Sequence, residues 1–121
     1  MIVVSLTGRL TREPELRHIE SEGAPAADLC QVRIAARDSH NRVVFLDCAQ
    51  WGAAGRAAAE YLTKGSLVAF TGELRLRETD IEGVRRQFFS AVGRIEFLEG
   101  RGRSANGQTA DGERPATPAP F

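Results

Sequence analysis

The sequence predicts an all-β fold of five strands with one short helix between the third and fourth strands. Apolar and polar residues alternate with a period of two along five runs, as in half-buried strands. One segment, residues 53–65 (AAGRAAAEYLTKG), is instead rich in alanine, which favours a helix. Lys64 and Gly65 suit the end of that helix, since a cation fits its C-terminal dipole and glycine its left-handed cap.

The five runs follow one another along the first 97 residues. Their apolar positions are Val4, Leu6 and Leu10; Cys30, Val32, Ile34 and Ala36; Val44, Leu46 and Cys48; Val68, Phe70, Gly72, Leu74 and Leu76; and a last run at residues 86–97. Five strands with a helix between the third and fourth is the order of an OB-fold, a small closed barrel.

The first strand is interrupted within residues 8–17 (GRLTREPELR). Gly8 allows a bend, and Pro14 cannot donate to a strand ladder, so it fits a bulge or an edge. The strand pattern resumes at residues 15–17. A closed barrel needs a first strand that curls to pair on both sides of the closure, which predicts one long, bent strand. An ordinary turn after a short strand is the alternative.

The chain has room for one domain and a tail. Hydrophobic residues make up 42% of its 121 residues, and the core must come mostly from residues 1–98. Residues 99–121 contain no Val, Ile, Leu, Trp or Tyr. They bury too little apolar surface to offset their conformational entropy, which predicts a disordered tail.

Charge composition alone does not indicate a partner. Sixteen basic residues balance sixteen acidic ones, so the positive field typical of many nucleic-acid-binding proteins is missing. All basic residues except Lys64 are arginines, fifteen in number. Arginine suits phosphate pairing and stacking on bases, although a GC-rich genome would produce the same bias.

Catalytic and metal chemistry find little support. Cys30 and Cys48 lie in alternating runs and form no metal or redox motif, which predicts free, buried thiols in a reducing cytosol. Residues 38–40 (DSH) are adjacent rather than spatially convergent, and two histidines are too few for a metal site. We predict no enzyme, no cofactor and no metal. No signal peptide or membrane-spanning run is visible, so a cytoplasmic location is expected.

Three segments carry a resemblance to a known family. They are LTGRLTREPELR (residues 6–17), FLDCAQWG (residues 45–52) and AAEYLTKGSLVAFTGELRLR (residues 58–77). In this order they resemble the bacterial single-stranded DNA-binding protein (SSB) family, over roughly residues 2–98. The resemblance implies an OB-fold protein of the nucleoid that forms a homotetramer, with a dimer as the alternative. It implies binding of single-stranded DNA without strong sequence preference, and its protection in replication, recombination and repair.

The resemblance also implies site residues. Such binding needs aromatic rings that stack on bases and cations that follow the phosphates. Phe45 and Trp51 match family stacking positions and share one face of the third strand, although a core or subunit-interface role is the alternative. His40 stands where the family commonly has another aromatic residue. The alternative for arginines on strand faces is that they only keep those faces soluble. The arginines expected to contact phosphates are Arg33, Arg37, Arg75, Arg77, Arg85 and Arg86.

The chain departs from the family pattern in three places. No aromatic residue lies near Thr79, and residues 38–42 (DSHNR) replace a longer basic finger. The tail keeps Pro120 and Phe121 but lacks an acidic cluster, so we expect only weak docking of replication and repair proteins. Three alternatives stay open: an accessory OB protein of primosome assembly, conjugation or transformation, a general single-strand DNA/RNA module with weak wrapping, and a non-binding scaffold.

Overall fold

A computed structural model describes residues 1–99, which form six strands and one helix. In chain order the elements are β1 (Val3–Leu10), β2 (Glu15–Ser21), β3 (Ala24–Arg37), β4 (Val43–Trp51), α1 (Gly52–Tyr61), β5 (Leu67–Ile81) and β6 (Val84–Phe97). The predicted all-β class with one short helix is confirmed. Apart from Glu99, the predicted tail lies outside the described residues.

The predicted long first strand occurs as two strands, β1 and β2, which raises the strand count from five to six. β1 pairs antiparallel with β5 and, through Arg9 and Leu10, also with β3. After a break at residues 11–14, β2 continues the pairing with β3, starting with Glu15 opposite Gln31. The ladder is interrupted where Pro14 has no N–H to donate.

The strand pairings close into a ring. The order β1–β5–β6–β4–β3 returns to β1 through the short β1–β3 contact, and β2 extends the sheet beyond β3. All pairs are antiparallel except β4 and β6, which run parallel. At the closure, a Cβ added to Gly8 would overlap the carbonyl oxygen of Ala35 in β3. Only glycine lets the two backbones pass so close.

The core fills the inside of this ring. One side of each alternating run points inward, and α1 adds Ala58, with Leu62 just beyond its end. The buried cluster comprises Leu10, Cys30, Val32, Ile34, Leu46, Cys48, Ala58, Leu62, Val68, Phe70, Ala91 and Ile95. The side-chain oxygen of the buried Gln50 has a partner, because it accepts a hydrogen bond of 3.0 Å from the Ile95 N–H.

The helix is shorter than the sequence predicts. It ends at Tyr61, because Leu62 turns into the core with an extended backbone while its N–H still donates to the Ala58 carbonyl. Gly65 does adopt a positive φ of 92°, but it lies in the turn that leads to β5 rather than at the helix cap. There its N–H donates to the Leu10 carbonyl at 2.8 Å.

An ion-pair cluster ties the β2–β3 hairpin to the helix. Asp28 lies 2.8 Å from the His18 Nδ1 and 3.1 Å from an Arg56 guanidinium nitrogen. The bond to His18, followed by the bond to Arg56, lowers the pKa of Asp28 below its ordinary 3.8. The carboxylate therefore stays ionised while it joins strand and helix.

Both cysteines are free and buried. Burial raises the pKa of Cys30, and it raises that of Cys48 to about 12 with a smaller contribution from the Asp47 charge. Neither thiol supplies a thiolate at neutral pH. Within residues 1–99, no three His, Cys, Asp or Glu side chains gather as metal ligands, and no helix is long and apolar enough to cross a membrane.

Candidate nucleic-acid interface

The outward-pointing side chains of β3, β4, β6 and β5 form one continuous surface, called here the outer face. Directly paired residues of neighbouring strands project to the same side of a sheet. The pairs Arg33–Asp47, Asp47–Ser90 and Arg75–Ser90 therefore share a side. That side faces outward, because the intervening Val32, Cys48 and Ala91 are buried.

A cleft of about 660 Å³ lies on this face beside the β5–β6 hairpin. Trp51, Arg75 and Arg77 all line it, so three predicted site residues meet there. Asp47, Phe88 and Arg12 line it as well. The cleft thus combines aromatic rings, cations and a single carboxylate.

Trp51 is placed at the rim of the cleft by its position in the chain. It is the last residue of β4 and precedes the first residue of α1. Its side is opposite to that of the buried Cys48, and 45% of the residue is exposed. Within the described chain Trp51 is therefore not a core residue, and part of it is exposed to solvent.

Phe45 lies on the same face but outside the cleft lining. It precedes Trp51 by six residues, which separates their Cα atoms by about 20 Å along the strand. Half of Phe45 is exposed, at 51%. The guanidinium carbon of Arg33 sits 5.1 Å from the ring centroid, and Arg33 also donates to the Asp47 Oδ1 at 3.1 Å. Arg33 therefore covers one face of the ring.

The arginines of the hairpin divide between its two faces. Arg75 lies 3.5 Å from Glu73, whereas Arg77 forms no ion pair with any residue of the described chain. Arg86 pairs with Thr79 and so shares the outer face with both. Arg85 pairs with Asp80 and projects to the opposite side, since neighbours in a strand alternate.

Of the predicted residues that the structure describes, the two remaining lie at the β3–β4 turn, and neither lines the cleft. His40 is exposed, and its backbone N–H donates to Asp38 at 2.8 Å. Arg37 donates to the Asn41 carbonyl at 3.1 Å, within the same turn. Asp38 also accepts from the Arg42 N–H. These bonds shape a compact turn that holds His40 at its tip.

Several cleft residues are absent from the sequence-based site, among them Phe88, Phe89, Asp47 and Arg12. Phe88 is 46% exposed and pairs with Arg77 across the hairpin. The alternation along residues 86–97 could have placed Phe88 beside Arg86, but only the strand register brings it to Arg77. Arg12 lies in the break between β1 and β2, where no periodicity indicates a direction.

The hairpin extends β5 and β6 beyond the ring. Its two-residue turn, Glu82–Gly83, has φ values of 54° and 80°, as a type I′ turn requires. Residues 75–89 are exposed throughout. The hairpin is therefore a two-stranded arm that forms one wall of the cleft.

Comparison with known proteins agrees with this architecture. The model of the single-strand binding protein family matches residues 1–98. The chain is 34% identical to a single-stranded DNA-binding protein of Halalkalibacterium halodurans, with 86% of this chain and 64% of that protein aligned. It is 30% identical to one from Clostridium tetani, over 86% and 74% of the two chains.

A third relative, single-stranded DNA-binding protein A of Bacillus subtilis, is 32% identical over 86% of this chain and 63% of its own length. The alignment thus spans less than two thirds of the Halalkalibacterium and Bacillus proteins. A match over residues 1–98 nevertheless covers the whole ring of strands, α1 and the cleft. The chain belongs to the single-strand binding protein family.

Proposed function

We propose that this protein binds single-stranded DNA with broad tolerance of sequence. The observation that carries the proposal is the cleft in which the exposed Trp51 and Phe88 rings lie beside Arg75 and Arg77. Unpaired bases stack on aromatic rings, and arginines attract the backbone that joins them. The names of the relatives, all single-stranded DNA-binding proteins, support the same activity.

Stacking is assigned first to Trp51, whose indole offers the largest exposed ring of the cleft. Phe45 extends the path along β4, although Arg33 already occupies one side of its ring. His40 provides a further, weaker platform at the β3–β4 turn. Each stacked base contributes on the order of 1–3 kcal/mol, whichever base it is.

Phosphate contacts are assigned to the outer-face arginines. Arg75, Arg77 and Arg86 follow the hairpin, whereas Arg33 and Arg37 follow β3. Arg85 projects from the other side of the hairpin and contributes least. A neutral protein can present this local basic surface, because Asp80 pairs with Arg85 on that far side.

The wider role follows from the family. We place the protein in the bacterial cytoplasm and nucleoid, as a homotetramer or dimer that protects single strands during replication, recombination and repair. Residues 1–98 form the binding domain, and the predicted tail, residues 99–121, lies outside the described residues apart from Glu99. Pro120 and Phe121, which lie outside the described residues, are assigned weak docking of replication and repair proteins.

One observation favours a second candidate, an accessory or general single-strand DNA/RNA module. The β3–β4 connection is only the short turn closed by the Asp38–Arg42 backbone hydrogen bond. It leaves no extended finger with which to wrap a long strand. Equal affinity for RNA and DNA would favour this module.

The test uses the intrinsic fluorescence of Trp51, the only tryptophan of the chain. Titration with oligo-dT should quench the emission, and the affinity should weaken as salt rises. An electrophoretic mobility shift provides an independent readout. Absence of both the quenching and the shift would contradict the proposal and favour a non-binding scaffold.

A further inference from the structure

A row of polar side chains crosses the outer face from strand to strand. Arg33 of β3 is paired with Asp47 of β4, Asp47 with Ser90 of β6, and Ser90 with Arg75 of β5. Neighbouring strands are about 4.8 Å apart, so the row places one polar side chain on each strand at this spacing. Its order is donor, acceptor, hydroxyl and donor.

Two groups in the middle of this row have hydrogen-bonding capacity to spare. The Asp47 side chain is 50% exposed, and only its Oδ1 is engaged, by Arg33. No other group of residues 1–99 bonds to this carboxylate, and none bonds to the Ser90 hydroxyl. Both residues line the cleft. They therefore offer a free acceptor and a free hydroxyl inside it.

The row lies within reach of a base held by the cleft. Asp47 and Trp51 are four residues apart on one strand, so their Cα atoms are separated by about 13 Å. Ala49 lies between them on the same face and carries only a methyl group. Ala49 lines the cleft although only 8% of it is exposed, so a flat ring that lies over it in the cleft would have its edge near Asp47 and Ser90.

We propose that Asp47 reads the edge of such a base and gives the site a preference for cytosine over thymine; this rests on the proposed single-strand binding. Cytosine presents an amino donor at N4, which suits a carboxylate. Its ring N3 and O2 accept, which suits Ser90 and Arg75. At the position of that amino group thymine presents the O4 acceptor, which the carboxylate repels, whereas its one donor, N3–H, lies in the middle of the edge.

A carboxylate is otherwise an unfavourable group at this place. It repels phosphates and occupies Arg33, which would serve a backbone-binding surface better if it were free. In a purely non-specific site, the only contribution of Asp47 would be its ion pair with Arg33. Base selection gives the residue a function, since unpaired bases expose their Watson–Crick edges to protein side chains.

The experiment measures dissociation constants of oligo-dC and oligo-dT of equal length, at neutral pH and fixed salt, for the wild-type chain and Asp47→Ala. The variant should bind both oligonucleotides more tightly, because a negative charge is removed and Arg33 is released. The gain should be larger for oligo-dT. The ratio of the dT to the dC constant should therefore fall about five-fold or more.

Glu73→Ala is the matched control. Glu73 is another outer-face carboxylate that holds an arginine, Arg75, but it does not line the cleft. Its removal should change both constants by the same factor, as expected for phosphate contacts. Asp47→Asn keeps the side-chain size and adds an amide donor suited to thymine O4. Asp47→Asn should also lower the ratio of the dT to the dC constant. It replaces Asp47→Ala in the experiment if that variant does not fold.

An unchanged ratio in a folded Asp47 variant would overturn base reading while leaving single-strand binding intact. The same holds if Glu73→Ala lowers the ratio as much as Asp47→Ala, because general electrostatics would then explain both. If the wild-type chain binds neither oligonucleotide, the proposed function itself fails, and with it the role of Asp47.

Discussion

Side chains of β4 point inward or outward according to whether their residue number is even or odd. Leu46 and Cys48 point into the ring and are buried, whereas Phe45 and Trp51 point outward and stay about half exposed. Each outward ring exposes apolar surface at some cost in solubility. That exposure is explained if planar ligands cover these rings, and the two differ in how open their faces are.

Replacement of Trp51 by alanine should weaken oligo-dT binding by about 1–3 kcal/mol, since a stacked base loses its partner. Phe45→Ala should cost less, because its ring is smaller and Arg33 already covers one face. Anisotropy of a labelled oligonucleotide measures both variants without relying on tryptophan emission.

Phe97→Ala controls for the loss of any exposed ring. Phe97 is partly exposed, lies at the far end of β6 and packs near Tyr61 rather than in the cleft. Its replacement should leave DNA affinity unchanged. A Trp51 variant that binds as tightly as the Phe97 variant would remove Trp51 from the site.

Among the secondary-structure elements, the β5–β6 hairpin determines which arginines lie on the same face. Because strand neighbours alternate, Arg85 and Arg86 cannot serve one surface, although they are adjacent in sequence. Register then joins Arg86 with Arg77 and Arg75 on the outer face. The Glu82–Gly83 turn sets this register, because a two-residue loop leaves no slack between the strands.

A pair of variants on this hairpin tests the division of faces. Arg77→Ala should reduce the slope of log affinity against log salt by about one unit, as the loss of one phosphate contact predicts. Arg85→Ala removes the same charge from the same arm but from the other face. Its slope should stay close to that of the wild type. Equal losses from both variants would show that the hairpin binds DNA without regard to face.

For the whole molecule, closure of the ring depends on one close approach. β1 contacts β5 on one side and β3 on the other, and Gly8 lies where the β3 backbone passes. Within the closed ring, β4 lies between β3 and β6, and residues of all three strands line the cleft together with β5. Stability of the ring and geometry of the cleft are therefore linked through a residue that does not line the cleft.

Gly8→Ala should destabilise the fold by about 1–3 kcal/mol, since the new methyl group meets the Ala35 carbonyl rather than a movable side chain. Urea unfolding gives the free energy. Thr7→Ala, at the exposed neighbouring position, should cost at most about 1 kcal/mol. If Gly8→Ala proves no worse than Thr7→Ala, the two backbones can separate without loss.

Much of this architecture follows from local patterns in the sequence. Period-two alternation is dictated by strand geometry, so the inward sides of β3, β4 and β5 and the outward direction of Phe45 and Trp51 could be predicted. Alanine content located the helix, although its end depended on the burial of Leu62. The break near Pro14 was visible too, since an imino acid cannot pair.

The residues that become neighbours on adjacent strands could not be predicted in the same way, because strand register depends on residues that are distant in sequence. The meeting of Phe88 with Arg77, the placing of Arg86 on the same face as Arg75 and Arg77, and the row that joins Asp47 to Ser90 and Arg75 all arise from pairing. By itself the sequence determined which side chains face outward. Only the tertiary structure decided which of them share a cleft, since closure of the ring sets their neighbours.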